Sequence, residues 1–178
     1  MPLLPLKAVP EAGSGIEIHL DLGSIQGESP STAHPNEIEI SSFSWGVSLT
    51  VIRTKGGTGG DTVPKASITE ITVTKFVDKA SVRLLAAITT GQYFKTAKIT
   101  WSKSTGGKKP EDFLTITLTG VYITSVNQNS SRGDEGVGRE TLTLSFDEVN
   151  YDYKEQGKNG IMTSAGQMTY DLALSKTN

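Results

Sequence analysis

The sequence predicts a mainly β domain with one helix, and three observations carry that prediction. Apolar and polar residues alternate over most of the chain; clusters of glycine, proline and small polar residues separate the alternating stretches; and only one segment, Asp78 to about Thr90, keeps helical spacing. Seven or eight strands with one helix fit a small antiparallel β-barrel, or a sandwich, with the helix packed beside it. The 178 residues suit one domain, and a globule of this length buries roughly 70% of its unfolded surface.

Taken in order, residues 1–15 are rich in Pro, Gly and Ala and read as a flexible or docking arm ahead of a domain spanning 16–178. Ile16, Ile18, Leu20 and Leu22 alternate with Glu17, His19 and Asp21 as in a half-buried strand. Gly27 to Pro35 is turn-rich. From Glu37 to Arg53 the chain is extended, and the apolar parity switches near Ser41–Ser42, as a β-bulge produces. On that reading Phe43, Trp45, Val47, Leu49 and Val51 face the core, and Ser42, Ser44, Gly46, Ser48 and Thr50 face away.

Arg53 to Lys65 is a long glycine-rich loop. Ser67 to Val77 returns to a Thr/Ile/Val strand. Asp78 then caps the helix, Gly91 ends it, and Val82, Leu84, Leu85 and Ile88 form its expected apolar stripe. Strands follow at Tyr93–Ser102, Phe113–Asn127, Glu140–Tyr153 and about Gln167–Leu174.

Composition excludes several functions. With no cysteine, disulfides, thiolate nucleophiles and cysteine metal sites are ruled out, which fits assembly in a reducing cytoplasm. Seventeen basic against nineteen acidic residues, net −2, supply no field for nucleic acid or an anionic membrane. No apolar run reaches the roughly 20 residues of a spanning helix. Pro2, Pro5 and Pro10 interrupt any leader-like helix and no basic stretch precedes them, so export without a cleavable signal peptide is expected.

Catalytic chemistry is equally poor. His19 and His34 lack metal-ligand spacing, no GxSxG elbow is present, and the Gly56–Gly60 run precedes Pro64 and a strand instead of the helix a phosphate cradle needs. Glu37 and Glu39 share a strand parity, as two glycosidase carboxylates can, but solvated strand charges explain them more simply. No catalytic residue, cofactor or metal is expected. A monomeric β-sandwich binding module is the competing class; it would expose a row of aromatics, whereas Trp45 and Trp101 share parities with aliphatic residues.

Three stretches carry a family resemblance. Ile25-Gln26-Gly27-Glu28-Ser29 and His34, leading to Phe43-Ser44-Trp45-Gly46, resemble the "GES" turn and aromatic-Ser-Trp-Gly strand of the haemolysin-coregulated protein (Hcp) family of bacterial type VI secretion. Thr74-Lys75-Phe76-Val77-Asp78-Lys79 with its helix is similar to that family's "TKxxDK" signature, and Tyr93-Phe94-Lys95-Thr96-Ala97 and the strand ending at Tyr153 to its closing elements. The arm before Ile16 is longer than the family's usual start. The resemblance implies a β-barrel subunit assembling as a hexameric ring. Rings stack into a tube that works with a contractile sheath, a spike and small effectors carried in the lumen.

On that resemblance, Ser42, Ser44, Ser48 and Thr50 are the expected lumen-facing, effector-facing row. The loop with Arg53, Lys55, Gly56, Gly57, Gly59, Gly60, Asp61 and Lys65 is the expected ring-stacking contact, and Lys79 and Arg83 on the helix the expected sheath-facing pair.

Overall fold

Period-two patterning builds twelve strands and one helix in the computed structural model, which describes residues 15–50, 66–104, 109–130, 138–157, 161–173 and the backbone of 176–177. The strands are β1 Ile16–Asp21, β2 Ile38–Glu39, β3 Ser42–Ser44, β4 Val47–Leu49, β5 Ala66–Ile68, β6 Ile71–Phe76, β7 Tyr93–Lys103, β8 Glu111–Asn129, β9 Arg139–Ser145, β10 Glu148–Gln156, β11 Met162–Asp171 and β12 Lys176–Thr177; α1 is Ala80–Thr90. The expected arm lies, apart from Gly15, outside the described residues, and so does the glycine loop 53–65.

The sheet is organised by β8, whose 19 residues serve two arms. One edge of β8 pairs with β7. The other pairs with β10 over Leu114–Thr119 and with β9 over Tyr122–Asn129. The corner between these halves falls at Gly120, whose φ of 68° needs glycine, and a Cβ there would collide with the Asp147 carboxylate. Asp147 holds the corner by donating its N–H to Thr119 O (2.9 Å) and accepting from Leu172 N (2.9 Å). One arm runs β12-β11-β10-β8-β7-β1-β2; the other runs from β8 through β9 and β6 to β3.

The expected closed barrel therefore needs correction: the hydrogen-bonded sheet is open. β2 pairs only with β1, and β3 only with β6. The chain steps from one arm to the other at Ile40, whose N–H reaches Ile18 O (2.9 Å), and Ser41, whose N–H reaches Thr74 O (2.7 Å). This change of partner explains the parity switch in the sequence: Ile38 and Ile40 are buried on one side of it, and Phe43 and Trp45 pack inward on the other. Phe43 meets Trp101 edge-on at 4.8 Å and Trp45 stacks on Tyr151 at 6.3 Å.

Beyond Gly46 the expectation of a buried apolar row fails. Val47 and Leu49 are 54% and 55% exposed, because β4 leaves the main sheet and pairs only with β5 in a two-stranded ribbon. Ala66 and Ile68 on β5 stay partly buried against the core, whereas Val47 and Leu49 are left uncovered among the described residues. Thr69 fixes the departure point, its hydroxyl accepting from Gly46 N (2.8 Å) and its N–H donating to Gly46 O (2.9 Å). Val51 lies outside the described residues.

α1 is capped as its sequence requires. Asp78 Oδ1 accepts from Ala80 N (2.9 Å) and Ser81 Oγ from Asp78 N (3.0 Å). Gly91, at φ 62°, closes the helix in the left-handed conformation. The buried face is Ala80, Ser81, Leu84 and Ala87, with Ile88 packed beside it. Val82 and Leu85 are exposed, 74% and 38%, contrary to the expected stripe. At about 100° per residue, Val82 lies some 200° around the axis from Leu84, so the two cannot face the core together.

A buried ion pair locks α1 to the sheet. Lys75 on β6 and Glu140 on β9 are cross-strand partners whose side chains have no exposed surface, joined at 2.9 Å. The ammonium also donates to Asp78 Oδ1 (2.7 Å) and Phe76 O (2.6 Å). The carboxylate also accepts from Ser81 Oγ (2.7 Å) and from Gln128. Burial alone would push the Glu140 carboxyl up; the bonds from Lys75, Gln128 and Ser81 and the lysine's charge overturn that and hold it below the usual range.

Removing one partner strands the other charge. Lys75→Met should therefore lower unfolding free energy by about 3–5 kcal/mol in urea titrations. Lys75→Met combined with Glu140→Leu should recover much of that loss; equal losses in the single and double variants would refute the account.

Candidate functional site

The second arm of the sheet presents a face of small uncharged groups. Its strands put Val73, Lys75, Glu140, Leu142 and Leu144 inward. The opposite parity therefore emerges as two cross-strand rows: Ser42, Thr74, Thr141 and Asn127, then Ser44, Thr72, Thr143 and Ser125. Ser42, Ser44 and Asn127 are exposed and the other five half-buried. Charge sits only at the ends of the arm, with Arg139 stacked over Phe76 at 4.6 Å and Glu70 accepting from Thr124 Oγ1 at 3.1 Å. The corresponding face of the first arm differs, with Asp21, Lys98 and Asp152 among its threonines. A hydroxyl face of this kind can exchange hydrogen bonds with water or a passing polypeptide at little net gain per bond.

Of the four residues expected to face a lumen, Ser42 and Ser44 lie in these rows. Ser48 lies on the separate ribbon opposite Ser67, and Thr50 follows the ribbon's last pair, Leu49 and Ala66. All four are exposed. Sequence reading missed Thr72, Thr74, Thr141 and Thr143, although the strict alternations Ile71-Thr72-Val73-Thr74 and Thr141-Leu142-Thr143-Leu144 carried the signal. What periodicity does not reveal is which strands lie side by side. The expected ring-stacking residues 53–65 lie outside the described residues; the ribbon carries both ends of that segment. Lys79, immediately before α1, and Arg83, on α1, are both exposed.

A second polar cluster was not legible in the sequence. Residues 23–37 fold across β1, and two imidazoles expected to be ordinary polar groups become buried, His19 at 1% exposure and His34 at 7%. The rings stack at 4.8 Å. His34 Nδ1 meets Glu37 Oε1 at 3.0 Å and its Nε2 meets Asp112 Oδ1 at 2.8 Å. His19 Nε2 meets Ser29 Oγ at 3.0 Å. Gly27 makes the crossing possible, since a Cβ there would collide with the backbone of Glu37 and Ile38.

The Ser29–His19 contact has the composition of a nucleophile and its base. Both residues are buried, however, and His19 Nδ1 has no partner to orient it among the described residues. A cleft of about 370 Å³ borders His34, Asp112, Pro110, Lys154 and Ser164, and neither Ser29 nor His19 lines it. Among the described residues no group of three or more His, Asp or Glu is placed to hold a metal ion, and no helix is long and apolar enough to cross a membrane.

Comparison with known proteins agrees with this arrangement. Residues 19–153 match the family model described as type VI secretion system effector, Hcp. Protein hcp1 of Pseudomonas aeruginosa is 32% identical over 145 residues, covering 82% of this chain and 87% of that protein. A solved type six secretion system protein superposes with a TM-score of 0.81 at 28% identity, covering 92% of this chain and 99% of its own. Hcp1 from Salmonella typhimurium gives 0.71 at 26% identity, with the same coverages. The match takes in β2 to β9 entire, the hydroxyl rows and α1 among them, and the chain belongs to the Hcp family of type VI secretion.

Proposed function

We propose that this chain is a non-enzymatic structural subunit of a type VI secretion inner tube. Six copies close a ring, rings stack, and the lumen carries small effectors past a contractile sheath towards a spike. Assembly takes place in the bacterial cytoplasm, and the subunit leaves the cell with the tube.

The observation that carries this reading is the β4–β5 ribbon. A two-stranded ribbon is marginal in water; this one pairs with no strand of the main sheet among the described residues, and Val47 and Leu49 are more than half exposed. Covering them on a neighbouring copy would contribute roughly 1 kcal/mol per side chain. Two such side chains contribute about 2 kcal/mol, part of the roughly 4–15 kcal/mol that association must offset, so the ribbon acts with the rest of the interface.

The hydroxyl rows fit the lumen. Their uncharged groups would give cargo many weak, exchangeable contacts, so a protein can be retained and then released. We assign the segment 53–65, which lies between β4 and β5 in the chain, to ring-to-ring contacts, and the exposed Lys79 just before α1 and Arg83 on it to the sheath. A monomeric binding module is disfavoured by the same ribbon, whose Val47 and Leu49 are uncovered among the described residues.

Mass in solution tests the assembly. The native chain should run far above its 19.0 kDa subunit mass, and Val47→Asp with Leu49→Asp should shift it towards single subunits without loss of β circular dichroism. A native chain that stays monomeric at high concentration would end the proposal, and an unchanged mass in the double variant would remove the ribbon from it. Deleting residues 56–61 should leave rings and abolish tubes in electron micrographs, whereas normal tubes would argue against the stacking role. Ser44→Trp or Thr143→Arg should keep rings intact and reduce co-purification of a lumen cargo at least several-fold; undiminished retention by intact rings would place the cargo elsewhere.

A further inference from the structure

Residues 23–37 are tied down at four places, and the tie at the centre is made of two stacked imidazoles. Outside that centre, Glu28 Oε1 accepts from Lys79 N at the start of α1 (3.1 Å), and Ser31 Oγ donates to Glu17 Oε2 on β1 (2.9 Å). Gln92 Nε2 donates to Ser24 Oγ (3.3 Å). Within the segment, Gly27 N donates to Asn36 O, Ser29 N to Glu37 O and Asn36 N to Ser29 O, at 2.8–3.1 Å. At the centre, His34 spans Glu37 and Asp112 while lying face to face with His19.

The two rings require opposite protonation. Ser29 Oγ accepts from Ser31 N (3.1 Å), and His19 Nε2 is the acceptor within reach of its own proton among the described residues, so the buried hydroxyl is satisfied when it donates to that nitrogen. His19 is thus neutral in the docked state. His34, between two carboxylates, donates from both nitrogens and is the cation. A second proton would place two positive rings 4.8 Å apart and turn the Ser29 acceptor into a donor.

We propose that residues 23–37 are an acid-released latch, in which a proton on His19 leaves the buried Ser29 hydroxyl without its acceptor, repels His34 and frees the segment from β1, β8 and the start of α1. The charged groups on the side of the pair are Glu17 from β1, Glu37 from the segment, Glu39 from β2 directly opposite His19, Glu111 and Asp112 from β8, and Lys154 from β10 across the adjoining cleft, with Asp152 of β10 further along the His19 row. β7 contributes Thr100 and Ser102, opposite His19 and Glu17, which do not titrate in this range.

The energetics follow the same direction. Burial, then the charge of His34, holds the His19 imidazole down at about 4. A released imidazole takes its proton near the ordinary 6.5, so docking weakens as pH falls from there towards 4, by two to three orders of magnitude over the interval. His34 works the other way. Burial would lower it, but its bonds to Asp112 and Glu37 and their charges prevail and hold it above the ordinary value. Its contribution is complete below 6.5 and is lost as pH rises through the raised folded value. Docking is therefore tightest near neutrality and loosens in acid.

Hydrogen–deuterium exchange of the assembled protein, corrected for the intrinsic pH dependence of exchange, tests this between pH 7 and 4.5. Peptides covering 23–37 should lose ten-fold or more of their protection while those covering 111–129 keep theirs. His19→Gln, which offers an acceptor to Ser29 but cannot take the proton, should remove that dependence. Ser29→Ala, which deletes the contact favouring neutral His19, should move the loss to higher pH and serves where the glutamine variant does not fold. Unchanged protection of 23–37 down to pH 4.5, or the same pH dependence in His19→Gln, would overturn the latch.

Discussion

The ion pair of Lys75 and Glu140 is the contact on which the remaining arrangement depends. It joins neighbouring strands, and through Asp78 and Ser81 it also fixes where α1 begins. Hydrophobic packing between helix and sheet is non-directional and would tolerate some sliding; a buried lysine with four acceptors does not. The network therefore sets the orientation of the helix on the sheet, and with it the outward direction of Lys79, Arg83 and the exposed Val82. Glu28, which reaches the Lys79 N–H, extends the same constraint to the segment over β1.

The same two strands show an inversion of the usual sheet pattern. Charge points inward, where it is neutralised pairwise, and hydroxyl groups point outward. An outward lysine or glutamate at these positions would make any contact on this face salt-sensitive. With both ionic groups turned inside, the outer surface keeps only weak, interchangeable donors and acceptors. Stability and the character of the face come from a single assignment of side chains to sides.

Periodicity made much of this legible. The one helix, its Asp78 and Gly91 ends, the inward parity of Ile99, Ile116 and Leu142, and the switch near Ser41 were all readable from spacing. Lys75 shared parity with Ile71 and Val73, and Glu140 with Leu142 and Leu144, so their burial was signalled as well. Two things were not. Alternation cannot tell a strand on a core from a strand in an unsupported ribbon, hence the misplacing of Val47 and Leu49. Nor can it show that a turn folds back over the polar side of a strand, which buried His19 and His34 and depends on Gly27 permitting a close crossing. The Leu85 and Val82 error came from treating a cluster of apolar residues as a stripe without measuring angles around the axis.

The topology also imposes an order of events on the newly made chain. From β7 onward each strand pairs with a close successor, and β8 with its continuation through β9 and β10 is one long bent hairpin. β1 meets β2 over two residue pairs, but its full-length partner is β7, Ile16 opposite Lys103, which does not exist until more than half the polypeptide has been made. Local pairings form faster than those that must close a long loop. The meander from β7 onward closes through short loops as each strand appears, whereas β1, with its imidazole, waits for β7 before its full length is paired.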